Sequence, residues 1–302
     1  MLKTLRSPKI SFNTFKMGRN AYAIANASSS ASGVVGGSSS SDSFEQPDEF
    51  TLISWNIDGL DDKNRALRTE AACGLVKQIR TDIFFFQEVI PETEEIMKVK
   101  MNGYKLLSAD NDPNTPYYTL IGIRERSVKL LDHQVINFSE TRMGRNLNQA
   151  MVEISGVKIK LMTSHLESCW DSSPIRVQQL EESFDIINKT PESEVVIFGG
   201  DMNLRDSEFD KMRVSSKIQD VWKLNGSRRE CEYTWDMMRN DNHVLESRRS
   251  YPRHRFDRLY LRNSSPKRVM PEYFGLIGLE RLKPHVCFPS DHWGLLSAFK
   301  LR

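Results

Sequence analysis

The sequence has no apolar run approaching the roughly 18–20 residues a bilayer-crossing helix needs, which argues against a membrane-spanning helix. It has no excess of one charge: 42 Lys and Arg face 40 Asp and Glu, and a net +2 is too small to imply nucleic-acid binding by itself. Its four cysteines, Cys73, Cys169, Cys231 and Cys287, are scattered without a C-x-x-C pair. That excludes a disulfide framework and a cysteine zinc site, and suits free thiols in a reducing, intracellular compartment. No internal repeat is visible. What is there, 39% hydrophobic and 27% charged residues over 302 positions, is ordinary globular composition for one large domain or two small ones.

Acids are also missing from the N-terminal stretch until Asp42, while Lys3, Arg6, Lys9, Lys16 and Arg19 are present and "ASSSASGVVGGSSSSDSF" follows. Such a segment buries too little apolar area to offset the entropy of ordering it. Residues 1–48 therefore read as a disordered arm, basic and then Ser/Gly-rich. A mitochondrial transit peptide has the same basic, serine-containing, acid-poor character; Pro8, which interrupts any helix there, favours the plain basic tail.

From Phe50 onward short apolar runs recur: "FTLISWNI", "IFFFQEVI", "YYTLIGIR", "VKIKLMTSHL", "VVIFGGDM", "FDRLYL" and "WGLLSAFKL". Each is strand length and rich in β-branched or aromatic residues. "DDKNRALRTEAACGLVKQI" sets Leu67, Ala71, Leu75 and Ile79 on one helical face. "SPIRVQQLEESFDIINK" offers Ser173 as N-cap, Pro174 as first helical residue, and Val177, Leu180, Phe184 and Ile187 as a buried stripe. Pro91 opens another helix, with Glu92, Glu94 and Glu95 at the positive end of its dipole. Strands outnumber helices and several follow one another directly, which points to an α/β fold of paired mixed sheets covered by helices.

Polar residues punctuate the strand ends. "VVIFGGDMNLRD" runs from an apolar strand into Asp201, Asn203, Arg205 and Asp206. "ISWNIDGL" carries Asn56 and Asp58, "IFFFQEVIP" carries Gln87 and Glu88, and "KLMTSHLES" ends in His165. Asp257 lies within "RFDRLYL", and Asp291 and His292 precede the last strand. Singly, each reads as a turn former or a solvated side chain. Together, at strand ends that converge on one sheet edge, they can line one acidic, amide- and imidazole-rich pocket. Metal-assisted phosphoester hydrolysis suits such a set. Mg2+ takes oxygen ligands and few carboxylates: Glu88 is the direct candidate, with Asp291 and Asn56 in reserve. Asp201 is placed to orient or deprotonate water. Asn203, two residues on along an extended chain, would reach the phosphoryl oxygen. An imidazolium at His292, oriented by Asp257, would stabilise charge accumulating on the phosphoryl group.

W-N-I-D-G-L, Q-E-V, S-H-L-E-S, G-D-M-N-L-R-D and S-D-H-W-G-L, in this order, resemble the endonuclease/exonuclease/phosphatase superfamily, and within it the 5′-tyrosyl-DNA phosphodiesterases. The resemblance implies a four-layer α/β sandwich, two mixed mostly antiparallel β-sheets flanked by helices, over residues 49–302. It implies Mg2+, with Mn2+ as a substitute, bound by Glu88 with Asn56 and Asp291 assisting. It further implies Asp201 activating water that Asn203 orients, and His165 and His292 bracing the phosphoryl oxygens with Asp257 behind His292. Arg205 and Trp235 would contact the substrate strand, as would Asp58. The implied activity is hydrolysis of 5′-phosphotyrosyl-DNA, releasing topoisomerase II peptides from DNA 5′ ends to leave 5′-phosphate during double-strand break repair. The compartment expected is the nucleus, with the cytoplasm, or mitochondria through the arm, as further sites.

A phenol leaving group, of pKa about 10, needs little acid help, so a metal and fixed donors suffice. "ESRRSYPRHRFDRLYLRNSSPKR" gathers Arg248, Arg249, Arg253, Arg255, Arg258, Arg262, Lys267 and Arg268, a candidate track for a phosphate backbone. No membrane partner is expected. Nothing in residues 1–48 resembles a ubiquitin-associated domain, so ubiquitin binding is not expected either. The rival readings are another phosphoesterase of the superfamily, acting on abasic sites, inositol phosphates or phospholipids, and a catalytically dead DNA-end adaptor. The intact Glu88, Asp201 and His292 speak against the adaptor.

Overall fold

The computed structural model describes residues 44–110, 116–243 and 251–302. The basic and Ser/Gly-rich stretch up to residue 43 lies outside these residues, as do Arg248 and Arg249. Among the described residues the chain builds β1 (Glu49–Asn56), α1 (Arg65–Ile79), β2 (Ile83–Val89), α2 (Pro91–Lys100), β3 (Tyr104–Ser108), β4 (Tyr118–Arg124) and β5 (Lys129–Asn137). Next come β6 (Asn146–Ile154), β7 (Val157–His165), α3 (Ser173–Lys189), β8 (Val195–Asp201), α4 (Asp206–Phe209), β9 (Ile218–Asp220) and α5 (Val221–Leu224). The short strands β10 (Trp235–Asp236) and β11 (Arg253–His254) precede β12 (Asp257–Arg262), β13 (Val269–Ile277) and β14 (Gly294–Leu301).

One sheet has the order β13-β14-β1-β2-β4-β3 and the other β5-β6-β7-β8-β12-β9. Each contains a single parallel pair, β1 with β2 and β7 with β8, amid antiparallel neighbours. A hairpin cannot join parallel strands; α1 and α3 are the crossovers. Period-two alternation sorts the side chains into layers. Phe50, Leu52, Ile83 and Phe85 of the first sheet share one core with Ile159, Leu161, Val195, Ile197 and Leu259 of the second. Ile53, Trp55, Phe84 and Phe86 face the other way, against Ala72, Cys73 and Val76 of α1 and Met97 of α2. Met162, Val196, Phe198 and Tyr260 pack with Leu180, Phe184 and Ile187 of α3. The result is the expected four-layer α/β sandwich.

Both crossover helices depart from the sequence expectation. In α1 the buried face carries Arg68, Thr69, Ala71, Ala72, Cys73 and Val76, while Leu67, Leu75 and Ile79 are only half-buried. The small residues let the helix sit close on the sheet, and Arg68 is held inside by carbonyls of Ile57, Asp58, Asp61 and Lys63. In α3 the N-cap is Ser172, not Ser173, and Pro174 is the second helical residue. Ser173 instead donates its hydroxyl to Glu208. The buried stripe keeps Leu180, Phe184 and Ile187 but leaves Val177 partly exposed.

Candidate active site

Along the face between the sheets, aliphatic side chains give way to polar ones toward one end. On β1 the inward series is Leu52, Ser54, Asn56; on β2 it is Ile83, Phe85, Gln87; on β7, Ile159, Leu161, Thr163, His165; on β8, Val195, Ile197, Gly199, Asp201. Register then brings the functional groups side by side. Asp201 pairs with His165 on one flank and with Asp257 on the other. Asn56 reaches across from the opposite sheet, donating from Nδ2 to Asp201 Oδ2 and to Glu88 Oε1, both at 3.0 Å. Deeper in, the Gln87 amide donates to Thr163 Oγ1 at 3.2 Å and ties the two sheets together.

Glu88 owes its position to a break in the pleat. Strict alternation would send it outward after Phe84 and Phe86. Its backbone is instead left-handed, φ 55°, within an irregularity of the β2–β4 register between Phe86 and Val89, and its carboxylate meets Asn56. A non-glycine residue in this region costs on the order of 1 kcal/mol, the kind of local strain that collects at functional sites. Gly59 belongs to the same arrangement, since a Cβ there would lie 2.1 Å from the Glu88 carbonyl oxygen.

The imidazole of His292 arrives on the loop before β14. Ser290 donates its hydroxyl to the Asn56 carbonyl at 2.6 Å and accepts the His292 amide at 3.0 Å, while the Trp55 indole donates to the His292 carbonyl at 2.9 Å. His292 Nδ1 donates to Asp257 Oδ2 at 2.8 Å, and its Nε2 lies 3.7 Å from Asp201 Oδ2. His165 Nε2 lies 3.4 Å from the same oxygen. Asp201 is thus bracketed by two imidazoles and an amide.

Burial and charge give the two histidines opposite states. Burial, with the Arg145 guanidinium nearby, pushes His165 down to about 3, so it is neutral. Burial opposes protonation of His292 too, but the carboxylates of Asp257, Asp291 and Asp201 prevail and hold it well above its usual value, as an imidazolium. Asp201 is lowered despite its burial by His292, His165, Asn56 and the Asn203 amide. Glu88 is pushed up to about 7 by burial and by the Asp291 charge. Asp58 rises to about 8 for the same two reasons, against the pull of Arg68.

Glu88, Asp291 and Asp58 therefore repel one another, which is the electrostatic signature of a cation-binding cluster. The donors there are all oxygens, matching a hard divalent ion. Ligand atoms of Asp201, Asp257 and His292 also lie within 4.8 Å of one another. That group makes a poor metal site, because the protonated His292 offers no lone pair and its Nδ1 is engaged by Asp257.

The remaining sequence candidates fall in different places. Trp235 donates its indole N–H to Asp291 Oδ2 at 3.0 Å and packs against His254 and Phe256, so it steadies that carboxylate. Asp58 accepts from Arg68 at 3.1 Å, and its amide donates to Asn56 Oδ1. Asn203 does not continue an extended chain: β8 ends at Asp201 and Asn203 is left-handed, φ 48°. Its amide nitrogens donate to Asp201 Oδ1 at 2.9 Å and to the Leu166 carbonyl at 3.1 Å, locking the loop under Asp201. Arg205 lies with its guanidinium 4.7 Å from the Trp170 ring centroid.

The arginine-rich segment needs the largest correction. Arg255, Arg258 and Arg262 are buried. Arg255 pairs with Asp220 at 2.5 Å, Arg258 with Asp206 at 2.8 Å, and Arg262 donates to carbonyls of Thr190, Pro191 and Glu194. Arg253 pairs with Asp236 and stacks on Tyr233. These cations are structural pins. In a strand flanked by polar loops, composition cannot separate a solvated arginine from one folded inward onto carbonyls. Sequence reasoning also missed Ser290, Arg145 and Glu167. Ser290 and Glu167 stand inside the quoted S-D-H and S-H-L-E-S motifs, where they could have been noticed; Arg145 carries no local signal.

A profile of the Endonuclease/Exonuclease/phosphatase family matches residues 53–292. Tyrosyl-DNA phosphodiesterase 2 of Xenopus laevis is 42% identical over 271 residues, covering 87% of this chain and 70% of the relative. The Homo sapiens protein of that name is 38% identical, covering 82% and 67%, so the chain spans about two thirds of the length of these relatives. A crystal structure of D. rerio TDP2 complexed with single strand DNA product superposes with a TM-score of 0.80 at 38% identity, over 84% of this chain and all of that one. TDP2 from C. elegans superposes with a TM-score of 0.74 at 35% identity, over 83% and 75%. The chain belongs to the endonuclease/exonuclease/phosphatase family, in its tyrosyl-DNA phosphodiesterase 2 branch.

Proposed function

We propose that the chain hydrolyses 5′-phosphotyrosyl-DNA, freeing topoisomerase II peptides from DNA 5′ ends and leaving a 5′-phosphate. The observation that carries this reading is the convergence of Glu88, Asn56, Asp201 and the His292–Asp257 pair at one end of the inter-sheet core, on a chain whose relatives bear that name. Glu88 would hold a divalent ion, Mg2+ by its all-oxygen surroundings and Mn2+ as a substitute, with Asn56 and Asp291 beside it. Bound there, the ion would supply Lewis-acid polarisation of the phosphoryl group.

The protein's own groups account for the rest. Asp201 is anionic at neutral pH and sits between two imidazoles, so it orients a water and accepts its proton as attack proceeds. Asn203 fixes that carboxylate by bonding its second oxygen. His292, as an imidazolium, stabilises the charge that builds on the phosphoryl oxygens, and neutral His165 donates a hydrogen bond beside it. The tyrosyl oxygen leaves as a phenolate of pKa about 10, so no acid is required on the leaving side. We place this activity in the nucleus, where its DNA substrate resides.

Parallel assays on a 5′-phosphotyrosyl oligonucleotide, an abasic duplex and an inositol phosphate test the reading. Mg2+-dependent release of tyrosine from the first is expected, abolished by chelation. Turnover of only the second or third overturns it.

A further inference from the structure

The loop after β7 exposes a tryptophan that the mechanism does not use. Trp170 is 75% exposed, although tryptophan is among the most buried side chains on average. One face carries the Arg205 guanidinium at 4.7 Å. The pair is built rather than incidental, because one carboxylate anchors both sides of it. Glu208 Oε1 accepts from the hydroxyl of Ser173 and, at 2.6 Å, from buried Arg176, whose other branch donates to the Cys169 carbonyl at 2.9 Å. Glu208 Oε2 accepts the Arg205 backbone amide at 2.7 Å. The chain on either side of Trp170 and the chain at Arg205 are thereby held to the same group.

The pair also adjoins the reactive end of the fold. Trp170 follows His165 by five residues and Arg205 follows Asp201 by four, and the two segments are joined where Asn203 Nδ2 donates to the Leu166 carbonyl. Burial, and after it the charge of Arg205, lower the His254 imidazole, and His254 stacks on Phe256 at 4.7 Å between ring centroids. A flat aromatic face with a cation against it matches what a single nucleic-acid strand requires: a π-surface for a base and positive charge for the backbone, without sequence preference.

We propose that Trp170, backed by Arg205, is a base-stacking platform that holds a nucleotide of the substrate strand beyond the one bearing the tyrosine. The occupant is a base and not the tyrosyl ring. The tyrosyl oxygen is bonded to the reacting phosphorus and so stays beside the catalytic groups, whereas Trp170 stands on the open surface, 75% exposed. This inference rests on the functional reading above for its substrate, but its binding test does not.

Two measurements separate the possibilities. First, the affinity of wild-type protein, Trp170→Ala and Trp170→Phe for a 5′-phosphorylated single-stranded oligonucleotide is measured by anisotropy. A loss of about tenfold in Trp170→Ala, with Trp170→Phe near wild type, is expected from stacking; unchanged affinity in Trp170→Ala overturns the platform whatever the catalytic result. Second, KM is compared for a 5′-phosphotyrosyl oligonucleotide and for the p-nitrophenyl ester of thymidine 5′-monophosphate, which has no further base. The alanine variant should raise KM for the oligonucleotide about tenfold more than for the ester. Equal changes on both overturn the assignment to a further base. Absence of turnover on both in wild-type protein sinks the functional reading alone.

Discussion

Asp201 is the residue on which the site turns, because its neighbours arrive from four directions: His165 and Asp257 in its own sheet, Asn56 from the other sheet, and the Asn203 amide beneath. Asp201→Asn keeps the shape and removes the base. It should leave substrate affinity near wild type and lower kcat by roughly 10²–10⁴-fold; near-normal turnover would take Asp201 out of the mechanism. Asp257 acts one step further back. Its carboxylate, 2.8 Å from His292 Nδ1, helps hold that imidazole protonated. In Asp257→Asn the His292 pKa falls toward its ordinary value, and the imidazolium is lost at lower pH. The alkaline limb of the kcat/KM profile should therefore move down, by on the order of one to two units. An unmoved limb would separate His292 from the step that sets it.

At the scale of elements, β1, β2, β7 and β8 were legible because each ends an apolar run abruptly in an amide, acid or imidazole. The runs "VVIFGG" and "FTLISW" set Asp201 and Asn56 at strand ends, and it was their recurrence as a set, not either residue alone, that pointed to a site. Strands β5 and β6 were not legible. β5 is largely solvent-exposed along its length, and β6 buries amides: Asn148 donates to the Leu107 carbonyl at 2.9 Å and to the Thr119 carbonyl at 3.3 Å. Neither presents an apolar run. β13 hides behind Pro271, admitted by an irregularity in its pairing with β14. Glu167 itself stands in the S-H-L-E-S motif, but the clamp it makes could not be read from that motif, because its partners lie 24–26 residues away in sequence. Its buried Oε1 accepts the Thr141 hydroxyl at 2.6 Å and the amides of Arg142 and Met143 at 2.7 and 3.0 Å. Glu167→Ala strips three donors of their acceptor and should cost about 2–3 kcal/mol in urea unfolding. Glu167→Gln, whose amide oxygen can accept the same bonds, should cost clearly less; equal losses in the two would mean that packing, not this clamp, is what the position supplies.

For the molecule as a whole, the two sheets close on a patch of carboxylates that folding alone leaves unbalanced, and stability must record this. Glu88 has an ordinary value of 4.5 and about 7 in the folded chain; Asp58 has 3.8 and about 8. Both are raised, so the folded protein without metal holds protons that the unfolded chain releases. The stability this contributes is present below pH about 4 and is lost as pH rises toward 7–8. For Glu88 the upper bound is on the order of 3 kcal/mol, from 1.36 kcal/mol per pKa unit. A divalent ion binds the charged carboxylates and not the protonated ones. It should offset the repulsion only where the acids are ionised. Saturating Mg2+ should then raise the melting temperature of chelator-treated protein more at pH 8 than at pH 6, and Glu88→Gln should remove most of that difference. If Mg2+ stabilised the protein equally at both values, or as strongly in the variant, Glu88 would not be the acid that the ion displaces a proton from.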